Sequence, residues 1–399
     1  MNFLILSLIK VGLLAFVLLT TLAYLQWIER KVIGHIQLRM GPYRVGPHGL
    51  LQPLADVVKL ITKEGVLPPH VNRLFYLLAP FLAVALALIS IAVIPFGPKV
   101  TIGPVTTWMQ LTDLNFGVLF VLAVSSVGVY GVALGGWASN NKYSLLGGLR
   151  SSAQMISYEL PLALALAAPL LLANSLSFRE IVDAQSGFWL GFIPKWNLFP
   201  QIVGFSVFLI AAFAETNRVP FDLPEAENEL VAGFHTEYSS MSFAAFFMAE
   251  YANMVTVTAV ATLLFLGGWH APFPEPYSSF IPVIIFALGG LIALYHGMNP
   301  ARRKDKFTLP VAGVVFLGIA GIFLISILLP QLQTLQIILM ALFWFCGKVL
   351  FLLFVFIWVR GTLPRFRYDQ LMRFAWIVLF PLAMVNLLVT GLVIALESK

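Results

Sequence analysis

The chain is poor in cysteine and in charge, and both shortages exclude broad classes of protein. Its only cysteine is Cys346, so neither a disulfide framework nor an iron–sulfur cluster held by this chain is expected. Charged residues make up 11% of the 399 residues and hydrophobic residues 60%. Soluble domains average about 25% and about 45–50%, so a water-soluble globular fold is excluded.

Motifs for several common sites are missing as well. The sequence has no Gly-x-Gly-x-x-Gly or Walker-type loop, so no nucleotide site is predicted. The six histidines show no ligand spacing such as His-Glu-x-x-His, and we expect no metal site. The net charge of +6 arises in loops between apolar segments, which does not indicate binding of nucleic acid.

The sequence is rich in long apolar runs, which predict an all-α polytopic membrane protein. Runs of roughly 18 or more apolar residues are typical of helices that cross a bilayer. We predict one integral membrane domain, 1–399, with about ten transmembrane helices at 3–27, 74–95, 116–137, 153–173, 199–214, 243–267, 280–297, 308–330, 337–359 and 376–396.

Lysine and arginine are concentrated in alternate loops, which predicts how the bundle is oriented. Of the 24 basic residues, 18 lie in the connections that follow odd-numbered spans. Basic loops are retained on the cytoplasmic side of a membrane. We therefore expect both termini on the non-cytoplasmic side, and these loops in the cytoplasm: 28–73, 139–151, 215–242, 298–307 and 360–375.

The first of these loops contains an amphipathic segment at 50–64. Its apolar residues recur at helical spacing and form one stripe, made of Leu50, Leu54, Val57, Val58 and Ile61. The pattern predicts a helix that lies in the membrane interface or against a partner protein. A helix that only caps the bundle on its cytoplasmic side is an equally good interpretation.

The third cytoplasmic loop is acidic, against the trend of its own side. Six carboxylates follow one another closely: Glu215, Asp222, Glu225, Glu227, Glu229 and Glu237. Repulsion within such a cluster couples the titration of its members and lets the group hold a proton near neutral pH. The alternative is a solvated loop or a docking surface for a basic partner, although interleaved aromatic residues argue against free solvation.

Three further carboxylates lie in or beside predicted spans, where an ionised group is costly. Glu250 lies well inside the sixth span and is the hardest to explain as structural. Glu29 ends the first span, where it could also be an interfacial anchor paired with Arg30. Glu159 opens the fourth span as predicted, where the helix dipole alone would favour it. Lys348 lies inside the ninth span, as a snorkelling residue or an internal counter-charge.

Three loop sequences resemble those of one family. The segments at 29–64, at 214–241 (AETNRVPFDLPEAENELVAGFHTEYSSM) and at 360–373 (RGTLPRFRYDQLMR) are similar to the signature loops of the H subunit of bacterial respiratory NADH:quinone oxidoreductase, complex I. Mitochondria have a counterpart in subunit 1 of NADH dehydrogenase. The resemblance covers most of residues 1–270 and 337–396.

The resemblance implies a place in an enzyme complex. The family's subunit forms the membrane entrance of the quinone tunnel and part of the relay that couples quinone reduction to proton translocation. Quinone is the substrate, and flavin and iron–sulfur clusters are held by partner subunits, so this chain binds no redox cofactor. The implied partners are peripheral-arm subunits with the terminal cluster and quinone-head site, small membrane-arm subunits leading to antiporter-like subunits, and lipid. The implied location is the bacterial inner membrane.

The resemblance also implies roles for particular residues. Four fall in the quinone-tunnel region: Glu29, Arg30, Arg39 and Asp56. Six fall in the acidic coupling loop: Glu215, Asp222, Glu225, Glu227, Glu229 and Glu237. Glu159 and Glu250 match the carboxylate relay inside the membrane.

The sequence departs from the family pattern at 275–330, which is expected to be an inserted helical hairpin because the family usually has about eight spans. Alternative functions stay open at this point. The chain could be the equivalent subunit of an ion-pumping hydrogenase or a ferredoxin-dependent complex. A stand-alone proton-coupled transporter would not need three large loops rich in motifs, and a structural anchor would not need Glu159 and Glu250.

Overall fold

The structure is a computed structural model that describes residues 3–102, 105–222, 232–298 and 308–397. The helices in these ranges are α1 Phe3–Ile36, α2 Gln52–Thr62, α3 Arg73–Ile91, α4 Gly117–Ala138, α5 Lys142–Ala173, α6 Phe178–Ala184, α7 Ile202–Glu215, α8 Ser240–Phe265, α9 Tyr277–Met298, α10 Thr308–Leu328, α11 Gln333–Thr362, α12 Tyr368–Arg373 and α13 Phe380–Glu397. Two short antiparallel hairpins pair β1 Gly97–Ile102 with β2 Val105–Met109, and β3 Phe188–Trp189 with β4 Ile193–Pro194.

Nine helical segments in the described ranges are long and apolar enough to cross a membrane. The last of them joins α12 and α13 through the π-helical turn Phe374–Leu379. A tenth apolar helix, α7, is shorter, at 14 residues. Together they correspond to the ten predicted spans, and the all-α polytopic fold is confirmed.

The connections gather at two opposite ends of the bundle. One end, which we call the loop face, brings together segments 37–72, 139–141, 232–239 and 363–367; there the Val66 amide donates to Ser239 Oγ (3.1 Å). The other end, which we call the hairpin face, holds both β-hairpins and the turn at 266–276; there the Leu198 amide donates to the Phe265 carbonyl (2.9 Å).

Small residues let several helices pack closely in the middle of the bundle. A Cβ added to Gly131 of α4 would lie 3.1 Å from Ala83 of α3, and one added to Gly148 of α5 would lie 3.1 Å from Gly136 of α4. Such contacts are typical of membrane helices, which gain stability from close packing rather than from burial of apolar surface. The close approach of α4 and α5 brings their polar side chains within reach of each other.

Helix α1 continues to Ile36, so the predicted end of the first span at residue 27 was too early. One seam of α1 is buried: Leu18, Leu22, Leu25 and Glu29. The spacing of these residues places them on one helical face. Glu29 therefore faces the bundle rather than the loop at 28–73.

Helix α2 forms within the predicted amphipathic segment 50–64. Its predicted apolar stripe is exposed, with Leu54 and Ile61 each at 62%. The rest of the described chain does not cover this stripe, which disfavours a helix that only caps the bundle. The exposed stripe fits a membrane interface or a partner protein.

The segment expected to be an inserted hairpin forms two antiparallel helices, α9 and α10. Gly290 and Gly313 allow the two backbones to approach, since a Cβ on either glycine would lie 2.9 Å from the other's carbonyl oxygen. At the loop face, His48 and Thr308 lie 3.0 Å apart, within hydrogen-bond distance. This contact ties the hairpin to the first signature loop.

Candidate functional site

Two carboxylates inside the bundle meet two adjacent serines of α4. Glu215 ends α7 and accepts a hydrogen bond from Ser125. Glu159 of α5 accepts one from Ser126. The serines are neighbours in sequence, so α4 links a carboxylate of α5 to one of α7.

Glu159 lies in the middle of a helix, not at its start. Helix α5 begins at Lys142, which is 17 residues before Glu159. The predicted span began at 153, after the cytoplasmic loop expected at 139–151. The helix dipole acts mainly on the first turn, so it does not account for Glu159, and the structural interpretation from the sequence was wrong on this point.

Arg218 joins two further carboxylates, of which Glu29 is buried and Glu250 is partly buried. Its Nη1 lies 2.9 Å from Glu29 Oε1, and its Nε lies 2.6 Å from Glu250 Oε1. Its guanidinium carbon lies 4.3 Å from the ring centre of Tyr251. The Tyr251 hydroxyl donates to Glu29 Oε2 (2.8 Å). Helices α1 and α8 are thus connected through one arginine of the acidic loop.

Arg360 of α11 also forms an ion pair with Glu29. Glu29 is 2% exposed and Arg218 is 5% exposed, so these charges are removed from water. Buried charges are stable only when paired and hydrogen-bonded, and here two arginines face two glutamates. The alternative of an anchor pair between Glu29 and Arg30 is not formed; Glu29 pairs with residues distant in sequence.

Gln154 of α5 binds the backbone on both sides of Arg218. Its side-chain amide donates to the carbonyls of Ala214 and Phe221, both at 2.8 Å. Gln154 is fully buried. Loss of these bonds would leave buried carbonyls unsatisfied, which costs about 1–3 kcal/mol each. Residues 214–221 are therefore held in place by α5.

A cavity of about 50 Å³ separates the two groups of carboxylates. Glu215 and Glu250 both line it, as do Ser125 and Asn217. A water molecule needs roughly 10–15 Å³ of such space, so a few waters fit. The cavity has both apolar and polar walls, and its polar side chains can bind water that connects Glu250 to Glu215.

The described acids of the acidic loop do not form one cluster. Asp222 pairs with Arg365 (3.0 Å). Glu237 accepts from Asn141 Nδ2 (2.7 Å). Glu215 binds Ser125 of α4. The three acids therefore have separate partners, one on α4 and two in different loops. The remaining predicted members, Glu225, Glu227 and Glu229, lie outside the described residues.

The end of the acidic loop is lined with aromatic rings. His235 packs against Phe234, Phe243 and Phe247. Burial lowers the pKa of His235 to about 4, so its imidazole is neutral at pH 7. Burial also raises the pKa of Tyr238. This part of the loop is packed rather than solvated.

The residues predicted for the quinone region separate into different contacts. Arg30 pairs with Asp56 (2.9 Å), which joins α1 to α2. Gln52 donates to the other oxygen of Asp56 (3.0 Å). Arg39 donates to Gln37 (2.8 Å) in the turn after α1. Arg30 and Asp56 thus lie together, whereas Glu29 belongs to the Arg218 group.

Lys348 is 9% exposed, so it does not snorkel to water, and it forms no ion pair with a carboxylate of the described ranges. Its ammonium donates to the carbonyls of Leu266, Gly268 and His270 at 2.5, 2.9 and 2.6 Å. It also lies 4.4 Å from the ring centre of Trp196. Lys348 therefore holds the turn that follows α8.

Sequence reasoning missed several polar residues of the site. Ser125, Ser126 and Tyr251 lie inside spans, and Arg360 was counted only as a loop charge. A signal did exist, because polar groups inside membrane helices are expected to face protein or water. Their partners are set by the tertiary fold.

Comparisons with known proteins place these features in a family. The family model for NADH dehydrogenase matches residues 9–391. H subunit 1 of NADH-quinone oxidoreductase from Solibacter usitatus is 67% identical, and the match covers 100% of this chain and 99% of that protein. H subunit 2 of NADH-quinone oxidoreductase from Koribacter versatilis is 52% identical, over 99% of this chain and 98% of its own. The chain is a multi-pass membrane protein that belongs to the NADH dehydrogenase family.

Proposed function

We propose that the chain is the membrane subunit of a proton-pumping NADH:quinone oxidoreductase, and that it forms the quinone entrance and the carboxylate relay of the complex. It acts as part of an enzyme without holding a redox cofactor: quinone is the substrate, and partner subunits carry flavin and iron–sulfur clusters. The names of its relatives support this electron donor over hydrogenase-type or ferredoxin-dependent complexes.

One observation carries the proposal. Carboxylates inside the bundle follow one another from α1 to α5, as Glu29, Glu250, Glu215 and Glu159; Glu29 is buried and the other three are partly buried. Arg218 connects the first two, the cavity connects the second and third, and the adjacent serines of α4 connect the third and fourth. Ionisable groups this costly in a membrane bundle are typical of proton relays.

The entrance is assigned to α1 and α2. The exposed apolar stripe of α2 is suited to contact with lipid, in which a long-tailed quinone is dissolved. The ion pair of Arg30 with Asp56 holds this helix beside α1. Ligand sites of this kind are mostly apolar with a few polar groups that orient the ligand. The basic loops favour a cytoplasmic loop face, where peripheral subunits would dock.

The relay would respond to charge through Arg218. Reduction of a quinone adds two electrons, and protons must neutralise the product. A proton taken up at Glu29 would remove one of the two carboxylates near Arg218, so the guanidinium would then act on Glu250 alone. Two unit charges at 4 Å interact by about 4 kcal/mol at an effective dielectric constant near 20. A change of this size is enough to move a proton into the cavity.

The test compares Glu159→Gln and Glu215→Gln in the assembled complex. Both variants keep the side-chain shape but cannot bind or release a proton. We expect normal assembly and at least a tenfold loss of quinone reductase activity and of proton uptake in vesicles, in parallel. Reduction of an artificial acceptor at the flavin should persist.

Glu180→Gln is the matched control, because Glu180 also accepts from a serine, Ser175, but is exposed at the hairpin face. A docking role for the acids predicts the opposite pattern, namely weaker assembly with normal activity per complex. Full turnover and full pumping in both variants would exclude these residues from the relay.

A further inference from the structure

A second cavity of about 30 Å³ adjoins the first. Four polar residues line both cavities: Ser90, Ser125, Glu215 and Asn253. Glu250 lines only the larger one. The shared residues therefore mark the junction of the two cavities, next to Glu215.

Asn253 differs from the other polar residues near this junction. Ser90 donates to the Leu86 carbonyl (3.0 Å), Thr256 donates to the Ala252 carbonyl (3.0 Å), and Ser125 is bound to Glu215. Among the described residues, none is a hydrogen-bond partner of the Asn253 amide. Asn253 is partly buried and lines both cavities, so its amide can bind water there.

The position of Asn253 on α8 aims it between the carboxylates. It follows Glu250 by three residues, and side chains three apart lie on the same face of a helix. Its amide has two donors and one acceptor oxygen, so it can bind more than one water molecule. It carries no charge and does not titrate, so it does not compete for the transferred proton.

We infer that Asn253 is a positioning residue that orders the water molecules between Glu250 and Glu215. The inference rests on the proposed relay function. Asn253 holds the water so that one hydrogen-bonded path joins the two carboxylates across the cavity. The proton moves along water, from one carboxyl oxygen to the other, and the amide itself is unchanged.

The test is Asn253→Leu in the assembled complex. Leucine is similar in size but does not bind water. We expect kcat for quinone reduction and the rate of proton uptake to fall at least fivefold, with little change in the KM for quinone. The kinetic solvent isotope effect on kcat should rise, because proton transfer becomes slower than the other steps. Asn253→Ser keeps a hydroxyl and leaves room for water, so it should recover at least half of the rate.

Asn386→Leu is the matched control. Asn386 also lies inside a span, on α13, but its amide donates to Gln201 (2.7 Å). Its loss should lower thermal stability while the activity per assembled complex remains. If Asn253→Leu fails to assemble, Asn253→Ala removes the amide without adding volume, and a lowered rate with a raised isotope effect is expected there too.

Two results would overturn the inference. One is a normal rate in the leucine or alanine variant, and the other is a serine variant as slow as the leucine variant. These results are distinct from failure of the proposed function. If Glu159→Gln and Glu215→Gln lower the rate while the Asn253 variants do not, only the role of Asn253 is wrong. If the glutamate variants are fully active, there is no relay and the inference falls with it.

Discussion

The two ends of the bundle bury charge in different ways. Toward the loop face, Arg218 is held between Glu29 and Glu250. Toward the hairpin face, Lys348 is held by three backbone carbonyls, and Lys10 of α1 binds the hydroxyl of Thr107 and the carbonyls of Trp108 and Gln110. Arg218 is thus paired with side chains that can titrate, whereas the two lysines are paired with groups that cannot.

This difference separates charges that can respond from charges that hold structure. A lysine ammonium has three donors, and three oxygens satisfy it fully. The Leu266 carbonyl also lies at the C-terminal end of α8, where the helix dipole favours a cation. A carboxylate paired with an arginine beside a cavity has another option, because it can take up a proton. The comparison predicts that variants of Arg218 and its carboxylates change turnover and that variants of Lys348 change stability.

Arg218→Met should have the largest effect. It leaves Glu250 and Glu29 without a shared buried partner, and breaking a buried pair costs about 3–5 kcal/mol. We expect loss of most quinone reductase activity together with a lower melting temperature, measured on the purified complex. Arg218→Lys should recover stability better than activity, since one ammonium does not bridge two carboxylates as a guanidinium does.

The control for Arg218 is Arg367→Met, because Arg367 pairs with Asp369 on an exposed surface. Exposed pairs contribute about 0–1 kcal/mol, so this variant should resemble the parent. Normal activity in Arg218→Met would contradict the comparison, since it would mean that the charges toward the loop face do not take part in turnover.

Lys348→Met should have an intermediate effect, and on stability alone. The methionine fills the space but leaves three carbonyls without their donor, at about 1–3 kcal/mol for each group that stays buried. We expect a clearly lower melting temperature. Because the partners of Lys348 do not titrate, activity per assembled complex should stay within about twofold of the parent. Lys99→Met, at an exposed position of the same face, serves as the control.

The opposite outcome for Lys348 would also be informative. A large loss of activity without loss of stability would place Lys348 in the machinery and remove the distinction between the two ends.

The sequence predicted the number and type of the helices because long apolar runs have few alternatives in a membrane. It failed where a helix is held by its neighbours. Residues 142–152 are rich in glycine and serine and resemble a loop, but a Cβ added to Gly147 would lie 2.7 Å from the Phe234 amide, and Gly148 packs on Gly136. These glycines allow α5 to extend through a crowded region. Glu159 is therefore central in its helix.

The candidate site was predictable as a set of residue types, but its pairing was not. Costly carboxylates inside spans identified Glu159 and Glu250 from one sequence. Arg218 contacts Glu29, which is 189 positions away in the sequence. Lys348 binds backbone oxygens of a turn, and the side chains of that turn do not indicate this contact. Contacts of this kind follow from tertiary packing, which local patterns do not contain.

The smallest predicted effect concerns two buried histidines, one at each end. Burial lowers the pKa of His235 at the loop face and of His270 at the hairpin face to about 4. Both pKa values lie below the unfolded value near 6.5, so each histidine contributes stability that is present above pH 6.5 and is lost as pH falls toward 4. Between pH 7 and pH 6, the loss at His235 is on the order of 1 kcal/mol or less. Thermal unfolding at the two pH values should show a smaller loss in His235→Gln than in the parent.

The same measurement sharpens the comparison, because the two histidines differ in one neighbour. After burial, the second cause that lowers the pKa of His270 is the positive charge of Lys348, whereas burial alone acts on His235. Lys348→Met should therefore bring the pKa of His270 closer to 6.5, so less stability is lost on acidification at the hairpin face. The contribution of His235 to the pH dependence of stability should stay the same. The double variant Lys348→Met, His235→Gln removes that contribution, so it isolates the change at His270. If Lys348→Met left the pH dependence unchanged, the lysine charge would not reach His270, and its role would reduce to the three hydrogen bonds.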